Sequence, residues 1–160
     1  MSRVVKIVFT ALLAALLGLG LSPAASADVL IRDAKVADLY IRDSVPSLDQ
    51  LEKMYAAFFN PNIGLDPKVE VSYHGEKVRP VLEQLMQYSR TMDFFSIQGR
   101  AIGPVNINGD RLSVVGQGVA AGFPLTESTF YLVRDGGLWK MDWKEYCAHV
   151  ACAGDPKFDY

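Results

Sequence analysis

The sequence predicts an α+β domain in which helices pack on a curved four-stranded antiparallel meander. Three observations carry that prediction. Apolar residues recur at helical spacing between Leu48 and Phe59, and again after Pro80. Beyond Thr91 the pattern changes to alternation with period two. Two short stretches rich in Asn, Asp and Gly, Asn106 to Asp110 and Asp135 to Gly137, separate the alternating runs and supply residues that tolerate positive φ. Helices gathered on one face of an antiparallel sheet make an α+β layer structure.

The clearest element is Thr129 to Trp143, which reads as a β-hairpin turning at Asp135-Gly136-Gly137. On its second arm Trp139, Met141 and Trp143 share one face and Lys140, Asp142 and Lys144 the other, so one face seeks a core and the other water. A lone hairpin is unstable and needs further strands and a helix against its apolar side. The preceding strands are expected at about Phe94 to Val105 and Arg111 to Ala121, joined through Asn108-Gly109. Gly116 and Gly118 are poor strand residues and point to a bend, a bulge or the close approach of another backbone.

The first helix opens at Ser47, which forms a capping box with Gln50, while Asp49 suits the positive end of the helix dipole. Leu48, Leu51, Met54, Tyr55, Phe58 and Phe59 make its apolar stripe, and Asn60-Pro61 ends it because Pro disfavours helix in the residue before. A looser stretch follows, with a short strand at Val69 to Val71. The second helix is expected near Arg79, with Pro80 at its first position and Val81, Leu82, Leu85 and Met86 buried. A short helical segment around Lys144 to Ala151 closes the chain.

The N-terminus has its own character. Arg3 and Lys6 precede an apolar run from Ile7 to Leu21 and an A-x-A site at Ala25 to Ala27, the layout of a signal peptide cleaved after Ala27. An uncleaved anchor would want about 20 apolar residues, and this run is shorter. Residues 1–27 are therefore expected to be a signal peptide, 28–46 a mostly exposed N-terminal arm, and 47–160 a single domain in a secreted, extracellular or cell-envelope protein. Removing Arg3 and Lys6 with the signal leaves 14 Lys and Arg against 18 Asp and Glu, a net of −4. A mildly acidic chain without a basic stripe offers no electrostatic footprint for nucleic acid or an anionic membrane.

Cys147 and Cys152 are the two cysteines, and in an exported chain an even count reads first as a disulfide. Two alternatives stand beside it. A redox pair usually has two intervening residues and here there are four; a metal site using His149 would still need a fourth ligand. No cofactor is called for, and no metal site is complete.

The chain resembles the secreted low-molecular-weight T-cell antigens of mycobacteria and their relatives in other actinobacteria. The matching features are the amphipathic helix ending in Asn60-Pro61-Asn62, the short apolar step after it, the hairpin at Gly136 to Trp139, and the Trp-x-x-x-Cys run from Trp143 to Cys147. The resemblance implies a cystatin-like, nuclear transport factor 2-like cone, an exported location and no assigned activity. The N-terminal arm and Cys152 depart from it.

Such a cone encloses a pocket that related folds use for proton transfer, as in ketosteroid isomerase-like enzymes, so an inward-facing acid or base is the feature to look for. Asp93, at the entrance to the first long strand, and His74, between the helices, are the candidates, although both residue types usually sit in solvent. Met54, Tyr55, Phe58, Met86, Phe94, Trp139, Met141 and Trp143 are expected to line a pocket or fill the core. There is no phosphate loop, G-x-S-x-G elbow or H-E-x-x-H motif. Two functions follow from this inventory: a noncatalytic exported domain that binds a small apolar molecule or a protein partner, or a small proton-transfer enzyme or hydratase. The sequence names no partner and no oligomeric state.

Overall fold

The computed structural model describes residues 29–91, 98–119, 126–149 and 154–160. In chain order these form β1 (Val29–Leu30), two 3-10 turns (Ile31–Asp33 and Val36–Leu39), α1 (Leu48–Phe59), α2 (Leu65–Glu70) and α3 (Gly75–Thr91). There follow β2 (Gln98–Asn108), β3 (Arg111–Val119), β4 (Thr126–Asp135), β5 (Leu138–Met141), α4 (Trp143–Ala148) and a 3-10 turn at Pro156–Phe158. The sheet order is β1-β2-β3-β4-β5 with every neighbour antiparallel, so β2 to β5 are the expected four-stranded meander and β1 adds a two-residue edge.

Local chemistry accounts for the turns. Between β2 and β3 only Gly109 takes a positive φ, 60°, whereas between β4 and β5 both Gly136 and Gly137 do, at 59° and 78°. Between Ala101 and Val105 the β2–β3 register shifts around the cis Gly103-Pro104 peptide, and such a bulge increases local twist. A Cβ on Gly116 would stand 2.8 Å from the Phe130 ring and 3.2 Å from the Arg100 carbonyl, so this glycine marks a close approach. β5 pairs only with Leu132 to Asp135, and α4 lies against the earlier part of β4: Tyr146 stacks on Phe130 at 5.7 Å and His149 on Tyr131 at 5.1 Å.

The capping box forms as expected: Ser47 Oγ accepts from the Gln50 N–H while Gln50 Oε1 accepts from the Ser47 N–H, a pair contributing about 1 kcal/mol. Leu51, Met54 and Phe58 then face the sheet among Leu112, Val114, Leu132 and Met141. Ala56 and Ala57 are buried as well, because the segment before the helix covers α1 from its other side.

That covering corrects the expectation of a mostly exposed arm. Its polar residues face water, but Ile31, Ala34, Leu39 and Ile41 are buried in the core. Backbone and side-chain bonds hold it there. Asn60 Nδ2 donates to the Ala34 carbonyl (3.1 Å), Trp139 N–H donates to the Ile41 carbonyl (3.0 Å), and the Trp139 indole N–H donates to the Asp43 carbonyl (2.8 Å).

Five further expectations are revised. Val69 to Val71 is not a strand: Val69 lies in α2, and the extended backbone falls one step later, where Ser72 bridges Met141 in parallel. The second helix starts at Gly75, one turn before Arg79, with Pro80 inside it. His74 at φ 51° redirects the chain there, and a Cβ at Gly75 would stand 1.9 Å from the Val69 carbonyl oxygen, so the helix start depends on a residue without one. The first long strand is described from Gln98 and runs to Asn108, past Val105; Phe94, Phe95 and Ile97 lie outside the described residues.

Finally, Trp143 is not a strand residue but the first residue of α4. It still faces the core, donating its indole N–H to Ser72 Oγ (2.9 Å). Asp142, assigned to the wet face of the hairpin, is 5 % exposed because it caps α4, with Oδ1 accepting from the Glu145 N–H at 3.1 Å.

Candidate functional site

α1 lies across the inner face of the sheet, and the space between them holds a cavity of about 30 Å3. Leu51, Met54 and Tyr55 reach it from the helix, and Val114, Phe130, Leu132 and Met141 from the sheet, so its wall is almost wholly carbon. Tyr55 also packs against Phe59 (4.6 Å between centroids) and Phe130 (4.9 Å). Burial pushes the Tyr55 phenol up to about 12, with the nearby Tyr146 phenol adding to the shift.

Glu52 is the carboxylate at this cavity. It is 4 % exposed, and Oε2 accepts the Ala101 N–H at 3.0 Å, tying α1 to β2. The sequence reading passed over it. The signal was present: Leu48, Glu52, Tyr55 and Phe59 recur at helical spacing, and an acidic residue inside that row is turned toward whatever the row covers. Arg100, which is exposed, and Gln117, half-buried, also border the cavity and mark its open side.

Of the residues expected to line a pocket or the core, Met54, Tyr55 and Met141 border this cavity. Phe58, Trp139 and Trp143 are buried in the core outside its lining, with Phe58 and Trp143 5.2 Å apart between centroids. Met86 is buried beside Lys68. His74 is exposed and does not border the cavity; its ring lies 4.1 Å from Tyr73 and 5.3 Å from Tyr160. Asp93, Phe94 and Cys152 lie outside the described residues, while Cys147 is 3 % exposed against the core.

A family model described as the low molecular weight antigen MTB12, C-terminal domain, matches residues 44–157. The chain belongs to this family. No curated protein and no solved structure matches it. The matched span of the MTB12-family domain runs from just before the Ser47 cap to the final 3-10 turn, and so includes α1, the whole meander and α4.

The MTB12-family domain holds a second feature that sequence reasoning missed. Lys68, on α2, is 0 % exposed. Its ammonium donates to the carbonyl of Asn60, the C-cap of α1, at 2.7 Å and to Met86 Sδ at 2.8 Å. A cation at a helix C-terminus satisfies an orphan carbonyl and meets the negative end of the dipole. Burial nonetheless lowers its pKa to about 8, with Arg90 adding repulsion. Among the described residues no helix is long and apolar enough to cross a membrane.

Proposed function

We propose that this antigen-family protein is an exported, noncatalytic binding domain that receives a slim apolar group between α1 and the inner face of the sheet. The carbon-lined cavity beneath α1 carries this reading. A volume of about 30 Å3 holds roughly two water-sized groups, far below the ~300 Å3 of a whole-ligand pocket, so it suits the tip of an alkyl chain. The body of the ligand then lies along the open side at Arg100 and Gln117. Met54 and Met141, unbranched and polarisable, let the wall adjust to what enters.

The test is a thermal-shift series with straight-chain alcohols and fatty acids of increasing length, beside native mass spectrometry of protein from its producing host. Saturation at about 100 times the dissociation constant should add roughly 2.7 kcal/mol. Val114→Ile, one methylene larger at the cavity wall, should abolish the shift while leaving the fold intact. Equal shifts in wild type and Val114→Ile, or no shift with any chain and no retained molecule, would overturn the reading.

The proton-transfer alternative is favoured by one observation, the buried Glu52 beside the cavity. Its engagement with the Ala101 N–H weighs toward a structural strut. Turnover of a bound ligand that Glu52→Gln removes, with affinity retained, would establish the enzyme instead.

Export and a Cys147–Cys152 disulfide belong to the same proposal. The signal-like N-terminus supports the first; burial of Cys147, with no free cysteine among the described residues, supports the second. Closing so short a loop removes little chain entropy, so the bridge acts as a local staple. The intact mass of protein recovered outside the cell should start at Asp28 and be two hydrogens lighter than the dithiol. A retained Met1, or two thiols that alkylate without denaturant, would contradict this.

A further inference from the structure

The outer face of the sheet, opposite α1, carries a second concavity unrelated to the apolar cavity. It has a volume of about 330 Å3 and lies where β2, β3 and β4 pass the start of α4. Three of its residues stand directly opposite one another across the strands: Asn106 pairs with Ser113, and Ser113 with Tyr131. Side chains at facing positions of an antiparallel pair point to the same side, so amide, hydroxyl and phenol form one row. Asn108 pairs with Arg111 two residues along, on the same side of the sheet.

The end of the groove nearest α4 is built. Asp142 is 5 % exposed, and both of its oxygens are used: Oδ1 takes the Glu145 N–H and Oδ2 takes Arg111 Nη1 at 3.1 Å. A buried carboxylate thus fixes, through Nη1, an arginine whose side chain is itself 65 % exposed and borders the groove; a guanidinium carries further donors beyond that one. Glu145, half-buried, accepts from His149, whose ring stacks on Tyr131 with an interplanar angle of 22°. One face of the Tyr131 ring is therefore backed by His149, and the half-buried residue borders the groove.

From this arrangement we infer that the outer groove is a binding site for a neutral sugar unit of a glycan. Sugars present C–H patches that pack on an aromatic ring and vicinal hydroxyls that both donate and accept, and the groove supplies each counterpart. Tyr131 offers the ring, Asn106 and Asn108 offer groups that donate and accept together, Arg111 offers donors and Glu145 an acceptor. Charge decides against an anion: one guanidinium faces two carboxylates, Asp142 and Glu145, so a phosphate or a carboxylate meets net repulsion. The volume sits at the lower end of small-molecule sites, the size of one or two sugar rings rather than a long chain.

The test is saturation-transfer and proton–nitrogen correlation NMR on the whole exported protein with the methyl glycosides of glucose, mannose, galactose and N-acetylglucosamine. At least one should transfer saturation, with shifts confined to residues around Asn106, Arg111 and Tyr131. Asn106→Ala and Arg111→Gln, both at exposed side chains, should each weaken binding by about tenfold, the loss of one good hydrogen bond to a charged or bidentate partner. Val114→Ile, which acts on the other face of the sheet, should leave glycoside binding unchanged. The inference fails if none of the four glycosides binds, if shifts map to the α1 side, or if both groove variants, folded by circular dichroism, bind as wild type does.

Discussion

Replacing Trp143 by Ala lowers stability by about 3–5 kcal/mol, enough to move the melting temperature by roughly 10 °C. The ring is 7 % exposed, lies 5.2 Å from Phe58 and 6.1 Å from Tyr146, and donates its indole N–H to Ser72. Truncation therefore leaves a large void and also strands Ser72 Oγ, which otherwise has only its own donation to the Lys68 carbonyl. Lys140→Ala, three residues from the end of the hairpin turn, removes only a partly exposed ion pair with Asp135 at 2.7 Å and costs less than about 1 kcal/mol. Urea melts of the two variants make the comparison. Equal losses would mean that the two sides of the hairpin are not distinguished as core and surface.

The second large effect is a rise of stability with pH. The folded pKa of Lys68 is about 8, below the ordinary 10.5. Between those values the unfolded chain holds a proton that the folded chain has given up, so stability increases as pH rises. From pH 7 to about 9.5 the gain is about 2 kcal/mol, at about 1.4 kcal/mol per pH unit once Lys68 has lost its proton. The partly buried phenols of Tyr55 and Tyr160, both pushed up to about 12, act in the opposite direction but only from about pH 10 upward. In Lys68→Met the slope should vanish, since among the described residues Lys68 is the group whose pKa is lowered into that window. Melting wild type and variant across this range decides it: parallel curves would remove Lys68 from the account.

What the sequence made legible was local. The Ser47–Gln50 box, the Asn108-Gly109 and Gly136-Gly137 turns and the alternation of β3 each depend on residues a few positions apart, and each appears where its chemistry places it. What escaped was set by distant partners. α2 has only six residues, too few for a helical period, and Val69 and Val71 mimicked a strand because they straddle the helix end and its bridge to Met141. The start of α3 rests on the Gly75 backbone passing against Val69, which no sequence period records. The arm looked wet because its covering partner, the second side of α1, was not yet placed. Glu52 and Lys68 were missed for a related reason: single polar residues are read as surface unless a neighbouring element is known to bury them.

The two indoles are tied to different parts of the chain, Trp139 to the Asp43 carbonyl and Trp143 to the Ser72 hydroxyl. They are the only tryptophans in the protein. The molecule thus carries two native optical probes with separate territories. Peeling the segment before α1 away from the sheet wets Trp139 and red-shifts its share of the emission, whereas loss of the contact between Ser72, just after α2, and α4 wets Trp143. Emission from Trp139→Phe and Trp143→Phe proteins, followed side by side during denaturation, resolves in which order the outer wrapping and the aromatic centre of the domain come apart.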